Sequence, residues 1–189
     1  KELTHAQPHQ ISNWGIARAF QNIELFGGLS VLDNLLLARH QKLNYNFLQA
    51  VFYFGKASRI EAENRAFVED VIDFMELEAY RHSTVGNLSY GVQKRVEVAR
   101  ALTLAPNILL LDEPMAGMNI EEKEDMVRFV LDIQREREIT VVLIEHDLGV
   151  VMDISDKIYV LDFGELIGSG TPEEVAKNPD VIEAYIGEE

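Results

Sequence analysis

The sequence predicts an α/β fold: a parallel sheet core flanked by helices, with an inserted all-helical subdomain. Three observations carry this. Ile108 to Leu111 form a short unbroken apolar run, which suits a parallel strand buried on both faces, and Pro114 stops it. From Leu88 onward helical and strand patterns alternate, which implies parallel strands joined by helical crossovers. Residues 29–80, by contrast, carry only helical patterns.

Taken in order, Pro8 to Trp14 reads as a short helix or turn closed by Gly15, and Ile16 to Phe20 as a strand ending at Gln21-Asn22. Gly27-Gly28 breaks the chain. Ser30 then caps a helix, with Asp33 three residues on and Val31, Leu32, Leu35 and Leu36 on one face. The aromatic-rich residues 43–54 read as helical, and a longer helix spans about 58–77, with Val68, Val71, Ile72 and Met75 at helical spacing. Helix 92–104 precedes strand 107–111. Helix 120–137 is capped by Asn119 with Glu122 at its third position, and strand 140–145 follows. His146-Asp147 opens a short helix, Lys157 to Leu161 is a strand, and Phe163-Gly164 is a turn. Thr171-Pro172-Glu173-Glu174 starts a helix with cap, proline and glutamate in place, and Asn178-Pro179 starts the last one, which ends near Gly187. The organisation this implies is four segments, 1–28, 29–87, 88–170 and 171–189.

With 189 residues, 47% hydrophobic and 26% charged, the chain has the composition of an ordinary globular protein with a real core. A net charge of −15 argues against binding nucleic acid by phosphate neutralisation. It leaves room for an anionic ligand, because backbone dipoles hold phosphate inside acidic proteins. There is no cysteine, hence no disulfide framework and no thiolate metal site. No apolar run approaches the length of a membrane span, and Lys1 does not open a signal peptide. The chain also lacks a starting methionine, so it is expected to begin partway through a larger protein.

Four places could carry chemistry. Asp112 and Glu113 follow the apolar strand at once; successive strand residues point to opposite faces, so one acid can hold a metal while the other takes a proton from water. Leu88-Ser-Tyr-Gly-Val-Gln-Lys-Arg95 precedes a helix, where the Ser89 hydroxyl, backbone N–H groups and Gly91 can converge on a phosphate. Gln21 and His146 each sit just past a strand, at the end of a parallel sheet where ligands bind. Alone, Ser89 is an N-cap, His146 a surface histidine, and Asp112-Glu113 an acidic turn. Together, and in this order, they are much harder to read as independent structural accidents.

In this combination the chain resembles the nucleotide-binding subunit of an ATP-binding cassette (ABC) transporter, within the P-loop NTPase-like folds, over nearly its whole length. Ala19-Phe20-Gln21-Asn22 resembles the Q-loop, Leu88 to Gln93 the signature, and Leu109 to Pro114 the Walker B strand with its following glutamate. Met115 to Asn119 falls at the D-loop, and Glu145-His146-Asp147 at the switch histidine. Gly15 to Asn22, Leu88-Ser-Tyr-Gly and the tail from Asp162 to Gly187 are most similar to the branched-chain amino acid importers. There are departures: Tyr90 and Val92 stand where the common signature has Gly and Gln, and Asn119 stands where many members have Asp.

The resemblance implies ATP and Mg²⁺ as cofactors. It assigns Glu113 and His146 to catalysis, Asp112 and Gln21 to the metal, and Gln21, Ser89, Gly91, Gln93 and Asn119 to the nucleotide. It implies a second ATP-binding subunit, whose ATP Ser89 and Gly91 would serve, and transmembrane permease subunits at the cytoplasmic face of the cell membrane. No nucleic-acid partner is expected. The phosphate-cradling G-x-x-x-x-G-K-[ST] sequence is not found. The one Gly-Lys pair, Gly55-Lys56, has Ala50 and Ala57 where the glycine and hydroxyl should stand. The Walker A loop is therefore expected ahead of Lys1, the chain to be N-terminally truncated, and residues 1–189 to be inactive alone. A chromosome or repair ATPase of the same motif class, and a non-catalytic cassette fragment serving as an interaction module, remain as alternatives.

Overall fold

A computed structural model describes residue 4 and residues 6–19, 22–40 and 56–186. The helix expected at 43–54, and Phe20 and Gln21, lie outside the described residues. The chain divides into two compact units, one ending at Ile144 and one beginning at Glu145.

In the first unit α1 (Pro8–Asn13) leads into strand β1 (Ile16–Ala19). Between them Gly15 adopts φ +82°, and a Cβ there would stand 2.7 Å from the Asn107 side chain. The turn needs glycine on both counts. Helices α2 (Val31–Arg39) and α3 (Lys56–Phe74) and two 3₁₀ turns, Glu78–Tyr80 and Val85–Asn87, form the helical part. Its core is built from Val31, Leu35, Val68, Ile72, Met75 and Leu77, all buried. Ser30 caps α2 as its sequence pattern requires, accepting the Asp33 N–H at 3.1 Å.

Helix α4 (Tyr90–Leu102), strand β2 (Ile108–Asp112), helix α5 (Ile120–Glu136) and strand β3 (Thr140–Ile144) complete this unit. The three strands are parallel in the order β1-β2-β3, with Ile16 beside Ile108 and Ile108 beside Thr140. Helix α4 packs on β1 and β2, and α5 along β3. Leu109 and Leu111 are buried, as are Phe129 and Ile133 of α5.

The expectation that the strand at 108–111 is buried on both faces holds for one face only: Leu109 and Leu111 are buried, while Ile108 and Leu110 are partly exposed. The register places Arg18, Leu110 and Val142 side by side on one face, and Asp112 beside Ile144. On that face Val142 is 48% and Ile144 59% exposed. Leu110 is half-buried. An unbroken apolar run reports what a strand's two faces tolerate; it does not supply the layer that covers them.

The second unit contains α6 (Leu148–Ile154), β4 (Ile158–Asp162), β5 (Glu165–Gly170), α7 (Pro172–Val175) and α8 (Pro179–Ile186). Strands β4 and β5 form a hairpin, and Ile158, Val160, Val175 and Val181 are its core. The sequence reading finds the Phe163-Gly164 turn but not β5. Its glycines weaken any strand signal. They are there because α8 is close: a Cβ on Gly168 would lie 2.9 Å from both Asn178 and Val181. The two-residue turn has positive φ at both positions, +43° and +86°, the twist that a tight hairpin demands.

Candidate functional site

The two acids at the end of β2 are separated, though not by strand alternation. Asp112 is the last strand residue, while Glu113 has left the strand at φ +44°. For a residue with a Cβ that conformation is unfavourable and has to be held. The Glu113 N–H donates to the Ile144 carbonyl at 2.9 Å, and its carbonyl accepts the Ala116 N–H at 3.2 Å. The buried Lys94 ammonium donates to the same carbonyl at 3.4 Å. Asp112 lies on the open face of the sheet, where its Oδ2 accepts from the Arg18 guanidinium at 2.6 Å.

Beside them stands the start of α4. The Ser89 hydroxyl accepts the Val92 N–H at 3.4 Å, so in this state it caps the helix. Gln93 folds back to donate to the Leu88 carbonyl at 2.8 Å, fixing the loop that carries Ser89. Gly91 is buried, and a Cβ there would overlap the Glu122 carboxylate. That carboxylate belongs to the capping box of α5: Glu122 Oε2 accepts the Asn119 N–H at 3.1 Å, and Asn119 Oδ1 accepts the Glu122 N–H at 2.9 Å. Gly117, at φ +77°, makes the matching close approach to the Tyr90 ring. The structure thus brings Ser89, Gly91, Gln93 and Asn119 together where the N-terminal ends of α4 and α5 meet.

Further along α4, the buried Glu97 pairs with Arg100 at 2.8 Å, and Arg100 also donates to the Glu24 carbonyl at 2.7 Å. Burial pushes the Glu97 carboxyl up; Arg100 and the Glu24 main chain pull it back in part. Two residues on, Phe26 is held at both its N–H and its carbonyl by the buried Asn34 side chain, at 2.9 and 3.2 Å. The segment that follows Gln21 is therefore clamped by α4 at one point and by α2 at the next. In the second unit His146 is 72% exposed, and its N–H and ring face the buried Glu145 carboxylate. Asp147 caps α6.

Residues 1–116 match the family model described as ABC transporter, and residues 165–189 match that of the branched-chain amino acid ATP-binding cassette transporter. The chain belongs to the ABC transporter family. It is 40% identical to the high-affinity branched-chain amino acid transport ATP-binding protein BraF of Pseudomonas aeruginosa, over 100% of this chain and 74% of that protein. It is 38% identical to the corresponding LivG of Salmonella typhimurium, over 95% of this chain and 70% of that one. Among solved structures it is similar to a nucleotide-free ATP-binding cassette from an ABC transporter (TM-score 0.80, 31% identity, 100% of this chain and 75% of that). It is likewise similar to the ADP conformation of the cassette MJ1267 (TM-score 0.79, 32% identity, 100% and 74%). A dimeric bacterial cassette, MJ0796, is a more distant neighbour (TM-score 0.68, 26% identity, 86% and 65%).

The ABC fold is thus established for this chain, and its parallel sheet with flanking helices is that of the cassette. No helix among the described residues is long and apolar enough to cross a membrane. Four contributors escape the sequence reading: Arg18, Lys94, Glu97 and Glu122. Three have a legible signal. Lys94 and Glu97 fall on the same stripe of α4 as Gly91, Val98 and Ala101, so they are charges on a core face. Arg18 is a charge inside an otherwise apolar strand. Glu122 is recognisable from sequence only as a cap.

Proposed function

We propose that this chain is the ATP-hydrolysing part of a cassette that energises a membrane importer of branched-chain or related amino acids. The observation that carries the reading is Glu113, a carboxylate on a pinned main chain at the carboxyl end of β2, beside Asp112 and next to a capped helix N-terminus. The similarity to BraF and LivG over nearly the whole chain supports the amino-acid substrate class.

In this reading Glu113 polarises the attacking water and accepts its proton, while His146 donates to the γ-phosphate as charge develops on it. Asp112 fits a cation delivered with phosphate, since Mg²⁺ carried by a nucleotide needs only one or two carboxylates from protein. Asp112, with Gln21, would hold that Mg²⁺, which supplies charge neutralisation on the phosphate oxygens. Ser89 and Gly91 face the nucleotide of a second ATP-binding subunit, Gln93 fixes the loop that presents them, and Asn119 holds the turn between. The dimeric MJ0796 cassette supports this pairing. Permease subunits at the cytoplasmic face of the membrane receive the motion through the helical part, residues 29–87. Residues 1–189 contain no G-x-x-x-x-G-K-[ST] sequence. By themselves they are proposed to show no specific Mg²⁺-ATP binding.

The test is Glu113→Gln in the natural full-length protein. The amide keeps shape and hydrogen bonding but cannot accept a proton. ATP binding survives while turnover falls by about 10²–10⁴. Near-normal turnover in that variant rejects the role of Glu113.

A further inference from the structure

Among the described residues Lys94 is one of the largest fully buried side chains, 2% exposed, and it is a cation. Withdrawing an ammonium from water is costly unless its protons are taken up by acceptors. One of its partners is the main-chain carbonyl of Glu113, 3.4 Å away. Glu113 sits at φ +44°, a conformation that persists only where its surroundings over-determine it. Its N–H is tied to the end of β3 and its carbonyl to Ala116 within its own turn. The ammonium adds a third tie, a longer contact from a charged donor on a different element, α4.

We propose that Lys94 is a positioning residue for Glu113, setting the direction of its carboxylate by holding the peptide at its root. The proposal rests on the reading of Glu113 as the catalytic carboxylate. Lys94 lies on the same stripe of α4 as Gly91, one helical turn from it, and Gly91 is packed against Glu122. A shift at the nucleotide-facing start of α4 therefore reaches the Glu113 main chain through a single rigid turn. The contact with Glu113 is made to its main chain, so through it Lys94 acts on the placement of Glu113 and not on ATP directly.

The experiment uses the natural full-length protein with Lys94→Met, Lys94→Arg and Lys94→Gln, each also combined with Glu113→Gln. Lys94→Met keeps the volume and removes the donor. It lowers kcat about 10- to 100-fold, the scale of a misplacement near 1 Å, with KM for ATP within a few-fold. Its melting temperature is unchanged or higher, because a buried charge gives way to an apolar side chain. Lys94→Arg, which keeps a charged donor, recovers much of the rate. In the Glu113→Gln background Lys94→Met causes no further loss. Should Lys94→Met not fold, Lys94→Gln carries the same comparison with a neutral donor and an intermediate rate. Normal kcat in Lys94→Met beside an inactive Glu113→Gln overturns the proposal alone, as does an undiminished extra loss in the double variant. Near-normal turnover of Glu113→Gln overturns the reading of Glu113 and the proposal with it.

Discussion

Arg18 and Asp112, 94 residues apart in sequence, form an ion pair of 2.6 Å across the open face of the sheet. The pair follows from register. Ala19 lies beside Leu111, so Arg18 and Asp112 are diagonal neighbours on adjacent parallel strands, within reach of a long side chain. The Arg18 guanidinium is half exposed, which screens the pair and limits its worth. Arg18→Met is expected to change unfolding free energy by less than ~1 kcal/mol in denaturant titration. A loss above ~2 kcal/mol would mean that the pair holds the sheet edge together and is not a surface contact.

Gly91 is where two motifs meet within one chain. Gly91→Ala places a methyl group in the space of the Glu122 carboxylate and must open the capping box of α5. The expected cost is about 0.5–2 kcal/mol, the worth of a helix cap. Adding Glu122→Ala to Gly91→Ala should cost less than Glu122→Ala does in the unchanged protein, because the box is already broken. Strict additivity in that thermal or chemical unfolding cycle would show that the added methyl group is accommodated elsewhere.

Glu97 should make stability depend on pH. Burial raises its folded-state pKa above the unfolded value, which is about 4.3 for glutamate. The native state then holds its proton more tightly than the unfolded chain. This contribution is fully present below the unfolded pKa and is lost as pH rises through the folded one. Glu97→Gln removes the titration. The difference in unfolding free energy between variant and parent should therefore move in the variant's favour as pH rises from about 4. A difference that is flat with pH would place the Glu97 pKa at its ordinary value.

The proposed pairing of cassettes is tested by mixing lesions. A purified mixed dimer carries Ser89→Arg in one subunit and Glu113→Gln in the other. If Ser89 serves the partner's nucleotide, one composite site carries both lesions and the other carries neither, so partial activity persists. If Ser89 serves its own nucleotide, each site carries one lesion and activity is lost. ATPase assays on the mixed dimer, beside the two uniformly mutated dimers, separate these outcomes.

Much of this protein is decided locally. Ser30, Ser89, Asn119 and Thr171 cap the helices their sequence contexts announce, because a cap needs only a short polar side chain and an N–H three residues on. The parallel order of helix and strand, the Phe163-Gly164 turn and the places of Asp112, Glu113, Ser89 and His146 are legible for the same reason: periodicity and turn chemistry act within a few residues. Strand β5 is not legible, since Gly168 and Gly170 weaken its own signal and α7 and α8 are what require them. The burial of Lys94, the grip of Glu97 and Arg100 on Glu24, and the Arg18–Asp112 pair belong to the tertiary structure alone. Each joins elements distant in sequence, and the cost of burying a charge is offset only by partners that no local pattern can name.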